Sequence, residues 1–152
     1  MENVFITTLQ NRKYLYTLLT ETPREALVKI PEGYRNNIWW NIAHIVVTQQ
    51  LLVYRLSGLP VTIDESLIDL YKKGTVPEHE PSEDEIEKVA AYLLSTAEIA
   101  QQNYENGLFT SYKEYTTSLK VTLKNIDDAL VFNLLHEGLH LGVVLSLLKV
   151  LK

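Results

Sequence analysis

The run from Leu134 to Leu151 is the most apolar stretch of the chain, and it sets the first constraint on the fold. It is about long enough to cross a bilayer. It also contains His136, Glu137, His140 and Lys149, and a carboxylate at the membrane centre costs roughly a few kcal/mol. A helix packed inside a protein core is therefore the expected form. Asn125, with Asp128 three residues on, marks its N-terminus, so the last helix is predicted from Asn125 to about Leu151.

The rest of the chain is punctuated in the same way. Phe5, Leu9, Leu15, Leu18 and Leu19 recur at mostly helical spacing between Asn3 and Leu19, with Asn3 as the expected cap. Pro23 suits the start of a short helical turn reaching about Val28. A second long helix is predicted from Asn36 or Asn37 to about Leu56, stopped by Gly58 with Pro60 beyond. It carries two adjacent apolar stripes, one of Ile38, Ile42, Ile45, Leu52 and Leu56, the other of Trp40, Val47, Leu51 and Tyr54. A face that wide packs on more than one neighbour.

A connection of about 25 residues follows, with a short helix expected around Glu65–Lys72; a link of that length can join non-adjacent helices. Ser82 and Glu85 form a capping-box pattern that opens a third long helix running to about Asn106, before Gly107. Leu108 to Lys124 is rich in Tyr, Thr and Ser, holds the only β-like run (Tyr115 to Leu123), and is expected to be an extended loop crossing the bundle end. The whole, residues 1–152, reads as one all-α domain of four main helices.

Composition excludes several functions. The formal net charge is −5 and no Lys/Arg run stands out, which argues against a nucleic-acid or anionic-membrane surface. There is no cysteine, so any metal must be held by His, Asp, Glu or backbone oxygen. The first residues lack a basic segment followed by an apolar one, so no signal peptide is expected. A cytoplasmic protein is the expectation.

Histidine placement is the chemical feature. His136 and His140 are four residues apart, which puts them on one helical face with Cβ atoms about 5–6 Å apart. Two imidazoles so placed can converge on one ion at roughly 2.0–2.1 Å. His44 is the only other histidine on an apolar helical stripe and is the expected third ligand. A lone histidine on such a face is more often an ordinary core residue; three on two helices favour a site. His79, between glutamates in a proline-flanked loop, is expected at the surface.

The letters His136-Glu137-Gly138-Leu139-His140 also fit the zinc-protease pattern H-E-x-x-H. Only twelve residues follow His140 and none is His, Asp or Glu, and there is no sheet for such a helix to pack on. Peptidase activity is not the expectation. Glu137 remains a candidate base or acceptor for an imidazole N–H, or else, lying next to a buried face, the partner of a Lys or Arg. Trp40 and Asn41, one turn before His44, are candidates for pocket wall and supporting contact.

The segments Asn37-Ile38-Trp39-Trp40-Asn41-Ile42-Ala43-His44-Ile45, Thr48-Gln49 and Ser57-Gly58-Leu59-Pro60 resemble the second-helix region of the DinB/YfiT-like superfamily. Asp127-Asp128-Ala129-Leu130, leading into His136-Glu137-Gly138-Leu139-His140-Leu141-Gly142, resembles its last-helix signature. The resemblance implies a four-helix bundle with up-down-down-up connectivity and a metal ion on His44, His136 and His140; imidazole suits zinc, nickel, iron and copper alike, and a divalent zinc or nickel is the expectation. It further implies homodimers and, among characterised relatives, transferases and isomerases that use low-molecular-weight thiols. The leading expectation is a metal-dependent transferase acting through a small thiol, because a cation stabilises the thiolate nucleophile. A metal-dependent hydrolase is the alternative, since a cation lowers the pKa of water. A third reading is a non-catalytic metal- or ligand-binding bundle; structural sites normally close with four protein ligands, and only three stand out here.

Overall fold

The computed structural model of the protein describes residues 1–151. Its elements in order are α1 (Glu2–Glu21), α2 (Arg24–Val28), α3 (Ile38–Gln49), α4 (Ser66–Tyr71), α5 (Glu83–Glu105), a hairpin of β1 (Tyr115–Thr116) and β2 (Thr122–Leu123), and α6 (Ile126–Val150). The fold is mainly helical. Four long segments, α1, the α3 region, α5 and α6, supply the core: α1 packs on α5 and α6, and α3 packs on α6 and α5.

Side-chain caps start three of the helices. Asn37 Oδ1 accepts from Trp40 N at 2.8 Å, Ser82 Oγ from Glu85 N at 3.2 Å, and Asn125 Oδ1 from Asp128 N at 2.9 Å. Asp128 reciprocates by accepting from Lys124 N. Glu85 does not; its carboxylate turns to Tyr71 Oη and His79 Nε2 instead, so the expected box is half formed. Asn3 is not a cap either, because α1 begins one residue earlier at Glu2. Each side-chain cap is worth about 1 kcal/mol.

The α3 segment is the centre of the molecule. Every residue from Ile38 to Val47 is buried, as two adjacent apolar stripes require once helices lie on several sides. The predicted helix to Leu56 does not stay α-helical, however. After Gln49 it widens into a π turn, Gln50–Tyr54, then tightens into a 3-10 turn, Arg55–Ser57, and ends at Gly58 in the left-handed region with φ 73°. The extra residue of a π turn is held here by long-range bonding: Gln50 Oε1 accepts from Thr62 N at 2.7 Å. Such turns are frequent next to functional sites.

The loop expected between α5 and α6 contains the short antiparallel hairpin, pairing Tyr115 with Leu123 and Thr116 with Thr122. The α6 helix departs from the expectation of a buried core helix. Leu130, Asn133, Glu137, Val144 and Leu147 are buried, while Val131, Leu135, Leu139 and Val143 are 53, 49, 53 and 37% exposed. The helix is apolar on both faces, and packing against α1, α3 and β2 covers one of them.

Candidate metal centre

His44 lies on α3 two turns after its cap, and His136 and His140 lie on α6, so the α3–α6 contact brings the three together. Ring centroids are 5.1 Å apart for His44 and His136, 4.7 Å for His44 and His140, and 4.5 Å for His136 and His140. One ring nitrogen from each falls within 4.8 Å of the others.

Hydrogen bonds settle which nitrogen points where. His44 Nδ1 is 2.6 Å from the Tyr71 carbonyl oxygen. A carbonyl only accepts, so Nδ1 carries the proton and Nε2 the lone pair. His140 Nδ1 is 2.8 Å from Asn41 Oδ1, while Asn41 Nδ2 donates to the Asn37 carbonyl at 2.7 Å. That second bond fixes the amide orientation, so His140 also donates from Nδ1 and bares Nε2. The loop carbonyl of Tyr71, at the end of α4, has no side-chain signature; Asn41 was visible as one turn before His44. Thr48 Oγ1 lies 3.3 Å from His44 Nε2, a contact that its i+4 spacing from His44 would have disclosed.

Burial holds the three rings neutral. It lowers the His44 pKa, with the Tyr71 hydrogen bond opposing. It pushes His140 down to about 4, helped by His44. It pushes His136 down to about 3, helped by His140, His44 and Arg12. Neutral imidazoles are the form that binds metal. The donor set therefore fits a divalent cation: the Nε2 lone pair of His140, that of His44 with the Thr48 hydroxyl 3.3 Å away, a third neutral ring beside them, and a His136 Nδ1 that is buried without a hydrogen-bond partner.

Trp40 stacks on His44 with centroids 4.5 Å apart and planes 13° from parallel, and its Nε1 donates to Thr75 Oγ1 at 3.0 Å. Beyond the rings opens a cavity of about 590 Å³, lined by Trp40, Thr48, Leu51, Leu52, Leu56, Phe132 and Leu139, and by Tyr115, Thr117, Ser118 and Leu119 of the hairpin segment. That volume is in the range of small-molecule sites, roughly 300–1,000 Å³.

Glu137 faces away from this cavity. Successive helical residues are about 100° apart, and Glu137 is fully buried against α1. Arg12 grips it through Nε to Oε2 and Nη2 to Oε1, both 2.8 Å, and Asn133 Nδ2 donates to Oε1 at 2.7 Å. Among its alternatives, the arginine partner is the one with contacts; the N–H groups of His44 and His140 go to Tyr71 and Asn41. His79 is exposed, with Nε2 3.3 Å from Glu85 Oε2, and sits apart from the other three.

A mainly helical protein with three imidazoles converging at one end of an apolar cavity belongs to the class of candidate histidine-type metalloproteins. A family model described as the DinB superfamily matches residues 7–144, and the chain belongs to that superfamily. Its fold is thus all-α and DinB-like, and the His44, His136 and His140 cluster is compatible with a metal-binding site. No curated protein matches the chain significantly.

Proposed function

We propose that the protein is a divalent-metal-dependent enzyme, and that its reaction is group transfer to or from a small thiol. The observation that carries this reading is the position of the three-histidine cluster: it opens onto an apolar cavity instead of being closed by a fourth protein ligand among the described residues. His44, His136 and His140 would hold the ion, with zinc or nickel as the expected metals since imidazole suits both. A divalent ion there would supply a positive charge that favours the deprotonated form of a thiol.

The protein's own residues do the positioning. Tyr71 and Asn41 hold two rings by their Nδ1 protons, which keeps the Nε2 lone pairs aimed at a common point. Trp40 fixes the plane of His44 and forms a dry wall. Leu119 and Tyr115 of the hairpin segment line the same cavity. Glu137 takes no part in proton transfer in this account, because Arg12 and Asn133 occupy its oxygens.

Hydrolysis by an activated water is the second reading, supported by the same open cluster. A screen of metal-loaded protein with several small thiols and an electrophilic acceptor, run beside an ester substrate, separates the two. Thiol-dependent turnover supports transfer; ester cleavage alone replaces it with hydrolysis.

The architecture is part of the proposal. The packing of α1 on α5 and α6, and of α3 on α6, together with the long links before α5 and α6, supports a four-helix bundle with up-down-down-up connectivity. A homodimer formed through the exposed Val131, Leu135, Leu139 and Val143 stripe would cover an apolar surface that a monomer leaves in water. We further place the protein in the cytoplasm; the buried Arg12–Glu137 pair supports reading α6, the one helix among the described residues long and apolar enough to cross a membrane, as a packed helix.

A further inference from the structure

The charged residues lining the histidine cavity are of one sign. They are Arg55 and Lys73, in a chain whose formal net charge is −5. Their surroundings differ. Arg55 Nη2 donates to Glu65 Oε1 at 3.1 Å, and Lys72 is tied to Asp69 at 2.7 Å. Lys73 makes no ion pair among the described residues, so it is the uncompensated charge at the cavity.

The backbone fixes where that charge sits. Lys73 follows Tyr71 by two residues, and the Tyr71 carbonyl is the acceptor for His44. Thr75 accepts from Trp40 Nε1 and closes a turn onto the Lys72 carbonyl, its N at 3.2 Å. The turn between is thus pinned on both sides to the Trp40–His44 wall, with Gly74 at φ 96° making the reversal. Lys73 is carried at the histidine end of the cavity, while Arg55 is eleven residues beyond His44, about 16 Å along a helix axis. Between them the walls are apolar: Leu51, Leu52, Leu56, Leu119, Phe132 and Leu139.

We propose that this cavity selects an apolar monocarboxylate, its head group bound by Lys73 beside the histidines and its body lying along the leucine and Phe132 walls. The inference rests on reading the histidine-lined cavity as the substrate site, and it names the substrate class. Lys73 is exposed at the rim of the cavity; its one ammonium matches one negative charge, and a charge-assisted hydrogen bond is stronger than a neutral one. Lys73 acts on specificity and not on the reacting atoms.

The test uses the full chain after chelator treatment, so that no metal can bind the carboxylate in place of Lys73. Naphthalene fluorescence follows titration with 2-naphthoate, 2-naphthalenemethanol and 2-naphthylmethylamine, which share one apolar body. The expected result is 2-naphthoate binding about tenfold more tightly than the alcohol, with the amine weakest. Lys73→Met should remove the preference for the carboxylate without weakening the alcohol, and Lys73→Arg should keep it. Equal affinity for carboxylate and alcohol, a preference that survives Lys73→Met, or no binding of any probe overturns the inference. Metal uptake measured on the same preparations tests the functional reading separately, since a Lys73-dependent preference can hold in a chain that takes up no metal, and the reverse.

Discussion

His136 and Glu137 are neighbours in sequence, yet they face different partners across α6. His136 joins two other rings at the cavity, and Glu137 is sealed against Arg12 with both side chains fully buried. Removing one member of a buried pair strands the other, so Arg12→Leu is expected to cost about 3–5 kcal/mol in denaturant unfolding. The Arg12→Leu, Glu137→Leu double variant should recover much of that loss. A single variant within about 1 kcal/mol of the parent would show that the pair is not the buried clamp described. The histidines carry a second prediction, for protein freed of metal. Their folded pKa values lie below the ordinary 6.5, with His136 near 3 and His140 near 4. Below pH 6.5 the unfolded chain takes up protons that the folded one refuses. Stability should thus be complete above about pH 6.5 and fall as pH drops toward 4 and 3, as melting at stepped pH would record. Replacing His136 by Gln should flatten part of that slope; an unchanged slope would contradict the assigned burial.

Legibility at this scale followed the length of chain involved. The His136 and His140 pair could be read from four-residue spacing, and His44 from its place in an apolar stripe. Arg12 could not be found from Glu137, because they are 125 residues apart. The Tyr71 carbonyl could not be found at all from side chains, since every residue has one.

Among the elements, α3 shows both what pattern reveals and what it hides. Its two apolar stripes announced burial on several sides, and Asn37 announced its start. Asn37 also donates to the Val28 carbonyl at 2.9 Å, tying α2 to the head of α3. Asn37→Ala is therefore expected to cost about 1–2 kcal/mol, at the upper end for a cap, measured by thermal or denaturant unfolding; a loss of a few tenths would indicate that water replaces both bonds. The π turn at Gln50–Tyr54 was hidden, because it depends on Gln50 meeting Thr62 across the following loop. The hairpin after α5 is legible only as a β-like run from Tyr115 to Leu123 within an expected loop, because strands of two residues are too short for the sequence to fix their pairing. For α6 the run of apolar letters is legible but the exposure of one apolar face is not, since composition does not say how many neighbours a helix will have.

Over the whole molecule, the apolar outer stripe of α6 and the histidine cavity are adjacent, with Leu139 belonging to both. If the stripe is covered by a second copy, Leu135→Glu should convert a dimer to a monomer in sedimentation equilibrium while leaving the helical circular dichroism intact. A parent chain that sediments as a monomer at micromolar concentration would remove the homodimer from the account. The central claim concerns the three rings themselves, and metal content tests it most directly. Protein purified without a metal-affinity column, then reloaded and desalted, should carry about one equivalent of divalent metal per chain, and His44→Ala, His136→Ala and His140→Ala should each lose it. Less than about half an equivalent in the reloaded parent, or unchanged content in all three variants, would contradict the assignment of a metal to this site.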